Sequence, residues 1–193
     1  MRKIIEQIEF SLMLHPRFIH SKGVIEIAKE LNKKYHLEVD EDKITLAGLL
    51  HDVTKNYDED SQLAILNKFY HNQIDDDLLL SPAIWHAITG RVIAEEQYHI
   101  IETDILNAIM YHTTGRPKMS HLELLIFLAD FIERGRVGAH YEEVRKIAFE
   151  KGITHAIVKM YENEFEYIKR TNQHIYPLSI ASYEYYKKEV END

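Results

Sequence analysis

Apolar residues recur three and four positions apart along most of this chain, the spacing that lines one face of an α-helix. No convincing run alternates apolar and polar residues as a half-buried strand would. The periodicity predicts helices over 2–13, 16–34, 41–52, 60–70, 82–98, 103–112, 120–133, 139–150, 153–170 and 178–190. Ser81-Pro82 reads as an N-cap followed by a first helical residue, and Ser120 with Glu123 as a capping box. Asn56 to Ser61, Thr113 to Lys118 and Thr171 to Pro177 read as loops. Asp75-Asp76-Asp77 reads as a solvated turn, and the closing KKEVEND as a frayed tail. There is no repeat, no low-complexity tract and no linker long enough to divide the chain. The expectation is an all-α bundle forming one domain over residues 1–193.

Several of the apolar stripes are interrupted by polar residues. Ile44, Ala47 and Gly48 continue to His51, and Asp52 lies four residues after Gly48 at the edge of the same face. Gly48 weakens a helix but leaves room for another group to approach. His20 sits one turn before Val24 on the stripe Val24, Ile27, Ala28, Leu31. Ile105, Ala108 and Ile109 lead to His112. Small residues Ala83, Ala87, Gly90 and Ala94 surround His86, and Leu122, Ile126 and Ala129 run on to Asp130. One buried histidine is ordinarily a core residue bonded to a carbonyl. Six inward polar residues on five helices would each need a separate partner, whereas one cation accounts for them together. Imidazoles and carboxylates without thiolates suit iron, manganese, zinc or another borderline divalent ion.

Composition narrows the chemistry. The chain has 193 residues, 12 histidines and no cysteine, so disulfides, thiolate zinc sites and cysteine nucleophiles are excluded. The net charge of −9 argues against a broad nucleic-acid or membrane-surface interface, which needs a basic stripe. It leaves open a small anionic ligand in a locally basic pocket. The N-terminal stretch has charges within its apolar run and lacks a small-residue cleavage site. No apolar run spans a bilayer. Cytoplasmic residence is the expectation, with no DNA, RNA or membrane partner.

The order His20, His51-Asp52, Asp130 resembles the H…HD…D signature of the HD-domain metal-dependent phosphohydrolases. Longer strings are similar to the YqeK-type subgroup, the symmetrical diadenosine tetraphosphate hydrolases. They are Arg17 to His20, His51 to Lys55, Trp85-His86, His112 to Pro117, Ala129 to Arg136, and Gln173 to Leu178. The resemblance runs from Arg17 to about Tyr185. Arg134 stands where the subgroup usually has proline, and Tyr176-Pro177 where His-Pro is more common.

The resemblance implies an HD-type helical bundle around a central metal, held by His20, His51, Asp52 and Asp130. It implies iron, with manganese, cobalt or zinc as the other candidates, and leaves a second ion open. Asp52, Lys55, His86 and His112 are the catalytic candidates; His86 and His112 would either bind a second metal or contact phosphate. Arg17, Lys55 and Arg136 are the cations for a polyphosphate. Val53, Thr54, Thr113 and the segment Gln173, His174, Ile175, Tyr176, Pro177, Leu178 complete the nucleotide contacts. The activity implied is cleavage of diadenosine tetraphosphate to two ADP by a homodimer. Two other functions stay open: an HD-type phosphohydrolase acting on a nucleoside monophosphate or guanosine alarmone, and a non-catalytic module that senses nucleotides or assists assembly. His15, His36, His71, His99, His121, His140 and His155 match no motif and are expected to be structural or superficial. Tyr183, Tyr185 and Tyr186 are expected to pack rather than to stack on a base.

Overall fold

A computed structural model describes residues 2–192. Eleven α-helices and no strand occur among the described residues. They are α1 (Arg2–Leu12), α2 (Phe18–Tyr35), α3 (Glu41–Leu50), α4 (Glu59–Phe69), α5 (Asp76–Leu79), α6 (Trp85–Glu96), α7 (Thr103–Met110), α8 (His121–Ile132), α9 (Ala139–Glu150), α10 (Ile153–Arg170) and α11 (Pro177–Glu191). None is long and apolar enough to cross a membrane.

Two helices are buried nearly all round, and the rest pack on them. α8 reads HLELLIFLADFI and buries Leu122, Leu125, Ile126, Phe127, Leu128, Ala129 and Ile132. α3 buries every residue from Ile44 to Leu50. α8 packs against α2, α3, α7, α9 and α10, and α3 against α1, α2, α6 and α7. A helix apolar on every side is stable only when neighbours cover each face. α2 supplies Val24, Ile27, Ala28 and Leu31, and α7 supplies Ile105, Ala108 and Ile109. A smaller core of Leu66, Leu78, Trp85 and Ile88 joins α4, α5 and α6. There the Trp85 indole N–H donates to the Leu78 carbonyl at 2.7 Å, which fixes the start of α6 and with it the neighbouring His86.

Most predicted helices form within two residues of their expected ends, and the differences have local causes. Asp75 to Asp77 are not a free turn. The Asp75 side chain accepts from the Leu78 N–H and starts α5. The helix predicted at 82–98 begins as a 3-10 turn over Pro82–Ile84 and becomes α-helical at Trp85. Ser81 precedes it, but its hydroxyl makes no capping bond. The capping box at Ser120 and Glu123 is present in full. Lys187 to Glu191 are not frayed but continue α11, and Asp193 lies outside the described residues. Gly48 does make room, but for Ile25: a Cβ there would lie 2.5 Å from Ile25 Cγ1. Tyr186 packs as expected, with its hydroxyl accepting from the Met119 N–H at 2.7 Å.

Candidate metal centre and nucleotide cavity

Five helix ends converge on one point. His20 comes from the first turn of α2, His51 and Asp52 from the turn after α3, His86 from the start of α6, His112 from the turn after α7, and Asp130 from the last turn of α8. His51, Asp52, His86 and His112 are buried.

Backbone carbonyls set the imidazoles. His51 Nδ1 lies 2.8 Å from the Gly48 carbonyl, and His112 Nδ1 lies 2.7 Å from that of Ile109. A carbonyl only accepts, so each Nδ1 carries a hydrogen, and the Nε2 of each ring, when the ring is neutral, turns a bare lone pair to the centre. His20 achieves the same with a carboxylate, its Nδ1 standing 3.2 Å from Glu133 Oε1. The inward atoms then crowd as acceptors. His20 Nε2 is 3.3 Å from His51 Nε2 and 2.8 Å from Asp130 Oδ1. His51 Nε2 is 3.5 Å from Asp52 Oδ2. Lone pairs facing lone pairs require positive charge between them. Nitrogen and oxygen ligands in this mixture fit a divalent transition ion. Two sets, His20–His51–Asp130 and His51–Asp52–His112, each bring ligand atoms within 4.8 Å of one another.

Asp52 faces both sides of the cluster. Its Oδ2 meets Arg17 Nε at 2.7 Å and lies 3.7 Å from His20 Nε2. Its Oδ1 lies 3.3 Å from His86 Nε2 and 3.6 Å from His112 Nε2. Burial alone would raise the Asp52 carboxyl, but His51, His112 and His86 hold it far below the usual carboxylate range. Asp130 is likewise depressed: burial raises it, and His20, His51 and His112 more than offset that. His51 is raised, because Asp52, Asp130 and the Gly48 carbonyl outweigh its burial. His86 goes the other way. Burial, with His112 and Lys55 adding to it against the pull of Asp52, pushes it down to about 4.

Above this floor opens a cavity of about 800 Å³. Lys55 reaches into it, Nζ 3.2 Å from each ring nitrogen of His86, and burial lowers its pKa against the pull of Asp52 and Asp130. Arg136 holds Asp130 Oδ1 at 3.0 Å. His86, His112, Thr113, Asp130, Gln173, His174, Ile175 and Tyr176 also line the cavity. Leu178 lines a small adjoining hollow instead. Pro177 opens α11 and borders neither space. Val53 and Thr54 are buried, and the Thr54 hydroxyl donates to the His86 carbonyl at 2.9 Å, away from the cavity. Arg17 stands on the metal-site side, locked to Asp52.

Some residues inside the family-like strings have roles that the strings did not give. Glu133 reaches across from the end of α8 to His20, and it does so because two glycines yield to it. A Cβ on Gly23 would lie 2.7 Å, and one on Gly135 2.9 Å, from Glu133 carboxylate oxygens. The Ser81 and Thr113 hydroxyls are buried on the cavity wall without partners. Gly115, at φ 59°, turns the chain after His112, where any Cβ would collide with the Tyr161 hydroxyl; that hydroxyl donates to the Thr114 carbonyl at 2.8 Å. The spacing Thr-Thr-Gly was the available signal for this turn.

Comparison with known proteins agrees with the geometry. The HD-domain family matches residues 17–135. Symmetrical bis(5′-nucleosyl)-tetraphosphatases from Halalkalibacterium halodurans and Bacillus subtilis are 35% and 32% identical to this chain, each over 86% of it and 87% of the relative. One from Staphylococcus aureus is 33% identical over 70% of this chain and 68% of its own. A crystal structure of an HD superfamily hydrolase from Clostridium acetobutylicum, described as involved in NAD metabolism, superposes with a TM-score of 0.87. It is 30% identical, and the match covers 95% of this chain and 97% of that one. A helical bundle with its clustered His and Asp residues in this order, matched over most of its length, therefore belongs to the HD-domain family, among the symmetrical bis(5′-nucleosyl)-tetraphosphatases.

Proposed function

We propose that this chain hydrolyses diadenosine tetraphosphate at its centre, giving two ADP. The observation that carries the reading is the buried His–Asp cluster on the floor of a cavity that also holds Lys55, Arg136 and two unpartnered hydroxyls. His20, His51, Asp52 and Asp130 would hold the metal, with iron as the identity. A divalent ion there supplies Lewis acidity toward a phosphoryl oxygen and lowers the pKa of a water it binds.

The chain's own residues do the rest. Lys55 and Arg136 bind the polyphosphate by charge-assisted hydrogen bonds, and Ser81 and Thr113 offer hydroxyls along its path. Arg17 neutralises Asp52 and keeps it aimed at the cluster. His86, pushed down to about 4, is uncharged near pH 7, so it accepts a hydrogen bond rather than supplying an acid. Water attacks one of the two inner phosphorus atoms, and the bond from that phosphorus to the central bridging oxygen breaks. One ADP keeps the oxygen of water, and the other leaves with the bridge. Gln173 to Tyr176 hold the nucleoside of the retained half. The chain acts as one domain and as a homodimer, the common symmetric state of soluble oligomers; sedimentation at several concentrations checks the latter.

Product identity tests the reading. Chromatography after full turnover should show ADP alone. ATP plus AMP would place the cut off centre and remove this placement of the phosphates. Asp52→Ala and His51→Ala should abolish turnover and strip the metal from the purified protein; full activity in either contradicts the proposed ligand set.

A further inference from the structure

Glu133 and Arg136 both sit on the turn between α8 and α9, and little packing holds that turn. Of residues 133–138 only Glu133 is buried; Arg134, Gly135 and Val137 are exposed. The chain leaves α8 at Glu133 with φ −57° and ψ 152°. Gly138 closes the turn at φ 143°, a region that other residues rarely adopt. A segment with so few buried contacts belongs to the low end of local stability. Yet it places two groups at once. The Glu133 carboxylate stands behind His20, and the Arg136 guanidinium holds Asp130 Oδ1 on the cavity wall.

One side chain ties the turn down. Arg145 of α9 donates from Nε to the Ile132 carbonyl at 2.8 Å. Its Nη2 donates to the Glu133 carbonyl at 2.9 Å and to the Arg136 carbonyl at 3.1 Å, and its Nη1 meets the Glu142 carboxylate. Among the described residues no other side chain bonds to those three carbonyls. The last carbonyls of a helix have no intrahelical partner, and here the negative end of α8 meets a full positive charge. The Arg145 side chain is only 16% exposed, and the buried Val144 and Ala148 seat α9 on the core close to it. Arg145 itself borders neither the cavity nor the His–Asp cluster, and it lies beyond the residues that match the HD-domain family. Two of the carbonyls it grips belong to the residues whose side chains serve the site, so its influence there passes through the turn.

We infer that Arg145 is a positioning residue: by holding the carbonyls of Ile132, Glu133 and Arg136, it sets the Glu133 carboxylate behind His20 and the Arg136 guanidinium on the phosphate path. Its effect on phosphate binding rests on the function proposed above; its effect on the metal needs only the His–Asp cluster. Lysine cannot take its place. The planar guanidinium spreads its donors over three carbonyls, whereas an ammonium is a single point of charge. Loss of Arg145 frees one turn and so weakens two separate contacts together.

Double-mutant cycles test this with two readouts other than turnover. Metal affinity is measured by competition against a chromophoric chelator, and ADP binding by calorimetry on the metal-loaded protein. Arg145→Ala should weaken each about tenfold, within the range for groups that support a metal ligand, and Arg145→Lys should recover only part of either. In a Glu133→Ala background, Arg145→Ala should change metal affinity by no more than about twofold, the scatter of independent sites. In an Arg136→Ala background it should change ADP binding by no more than about twofold. A residue that merely stabilises the fold would show its full effect in every background. That result overturns the inference, as does wild-type affinity for both metal and ADP in Arg145→Ala. Should Arg145→Ala not fold, Arg145→Lys carries the same cycles, and its equality with the wild type on both readouts overturns the inference. A wild type that binds no ADP contradicts the function proposed above, and the metal cycle still decides the role of Arg145.

Discussion

His20 differs from the other inward imidazoles in what holds it. His51 and His112 lean on carbonyls three residues back in their own helices, so any local helix end could orient them. His20 depends on Glu133, 113 positions away. A carboxylate behind a ligating imidazole fixes its tautomer and raises its basicity. Replacing Glu133 by Gln keeps an acceptor for Nδ1 and removes the charge; replacing it by Ala removes both. Metal affinity should therefore fall in the order wild type, Gln, Ala, by roughly 10- to 100-fold at the far end. Gly23→Ala should act the same way, because its Cβ would displace the carboxylate. Competition against a chromophoric chelator, with the melting temperature of the metal-free protein as a control, measures this. Equal affinities across the set would leave Glu133 a mere helix-end residue.

At the scale of elements, the tyrosines of α10 and α11 connect the distant C-terminus to the site. Tyr186 accepts from the buried Met119 N–H, and Tyr161 bonds the Thr114 carbonyl in the turn after His112. Tyr186→Phe leaves the Met119 N–H without an acceptor and should cost about 1–3 kcal/mol in denaturant unfolding. Burial pushes Tyr186 up to about 12, so the folded state favours the neutral phenol. Its contribution is complete below pH 10 and is lost as pH rises toward 12; the mutant should therefore lose less stability than the wild type over that window. Neither bond was legible in the sequence, since nothing in a helical stripe says which distant loop a tyrosine reaches. The helices and the inward clustering of the histidines and aspartates were legible. Their 3.6-residue stripes name the buried face, and a histidine or aspartate at the end of such a stripe must point into the interior. The α5 turn was missed because three consecutive aspartates read as solvent, although Asp75 acts as a cap. The assignments of Val53 and Thr54 followed the HD string, where adjacency along the chain does not imply a shared face. Tyr141 and Glu164 line the cavity yet belong to no string at all, because a cavity wall is assembled from elements that meet only on folding.

At the scale of the whole molecule, the centre links α2, α3, α6, α7 and α8, so what occupies it bears on the stability of the core. Without a cation, bare imidazole nitrogens 3.3 Å apart, the buried Asp52 and the half-buried Asp130 must be reconciled by protons and the side chains of Arg17, Arg136 and Lys55. An ion that binds only the folded chain stabilises it by mass action. At a free concentration one hundred times its dissociation constant this amounts to about 2.7 kcal/mol. For a chain of this size that corresponds to a rise of roughly 5–11 °C in melting temperature. Calorimetry of metal-loaded and chelated protein should show a difference of that order, growing with free metal. His51→Ala should abolish the difference, its two traces coinciding, because it removes a ligand shared by both candidate sets. If the wild type melts at the same temperature after verified metal removal, the cluster is not a site whose filling is coupled to folding, and the ligand assignment fails with it. If His51→Ala keeps the full increment, the ion binds elsewhere in the chain.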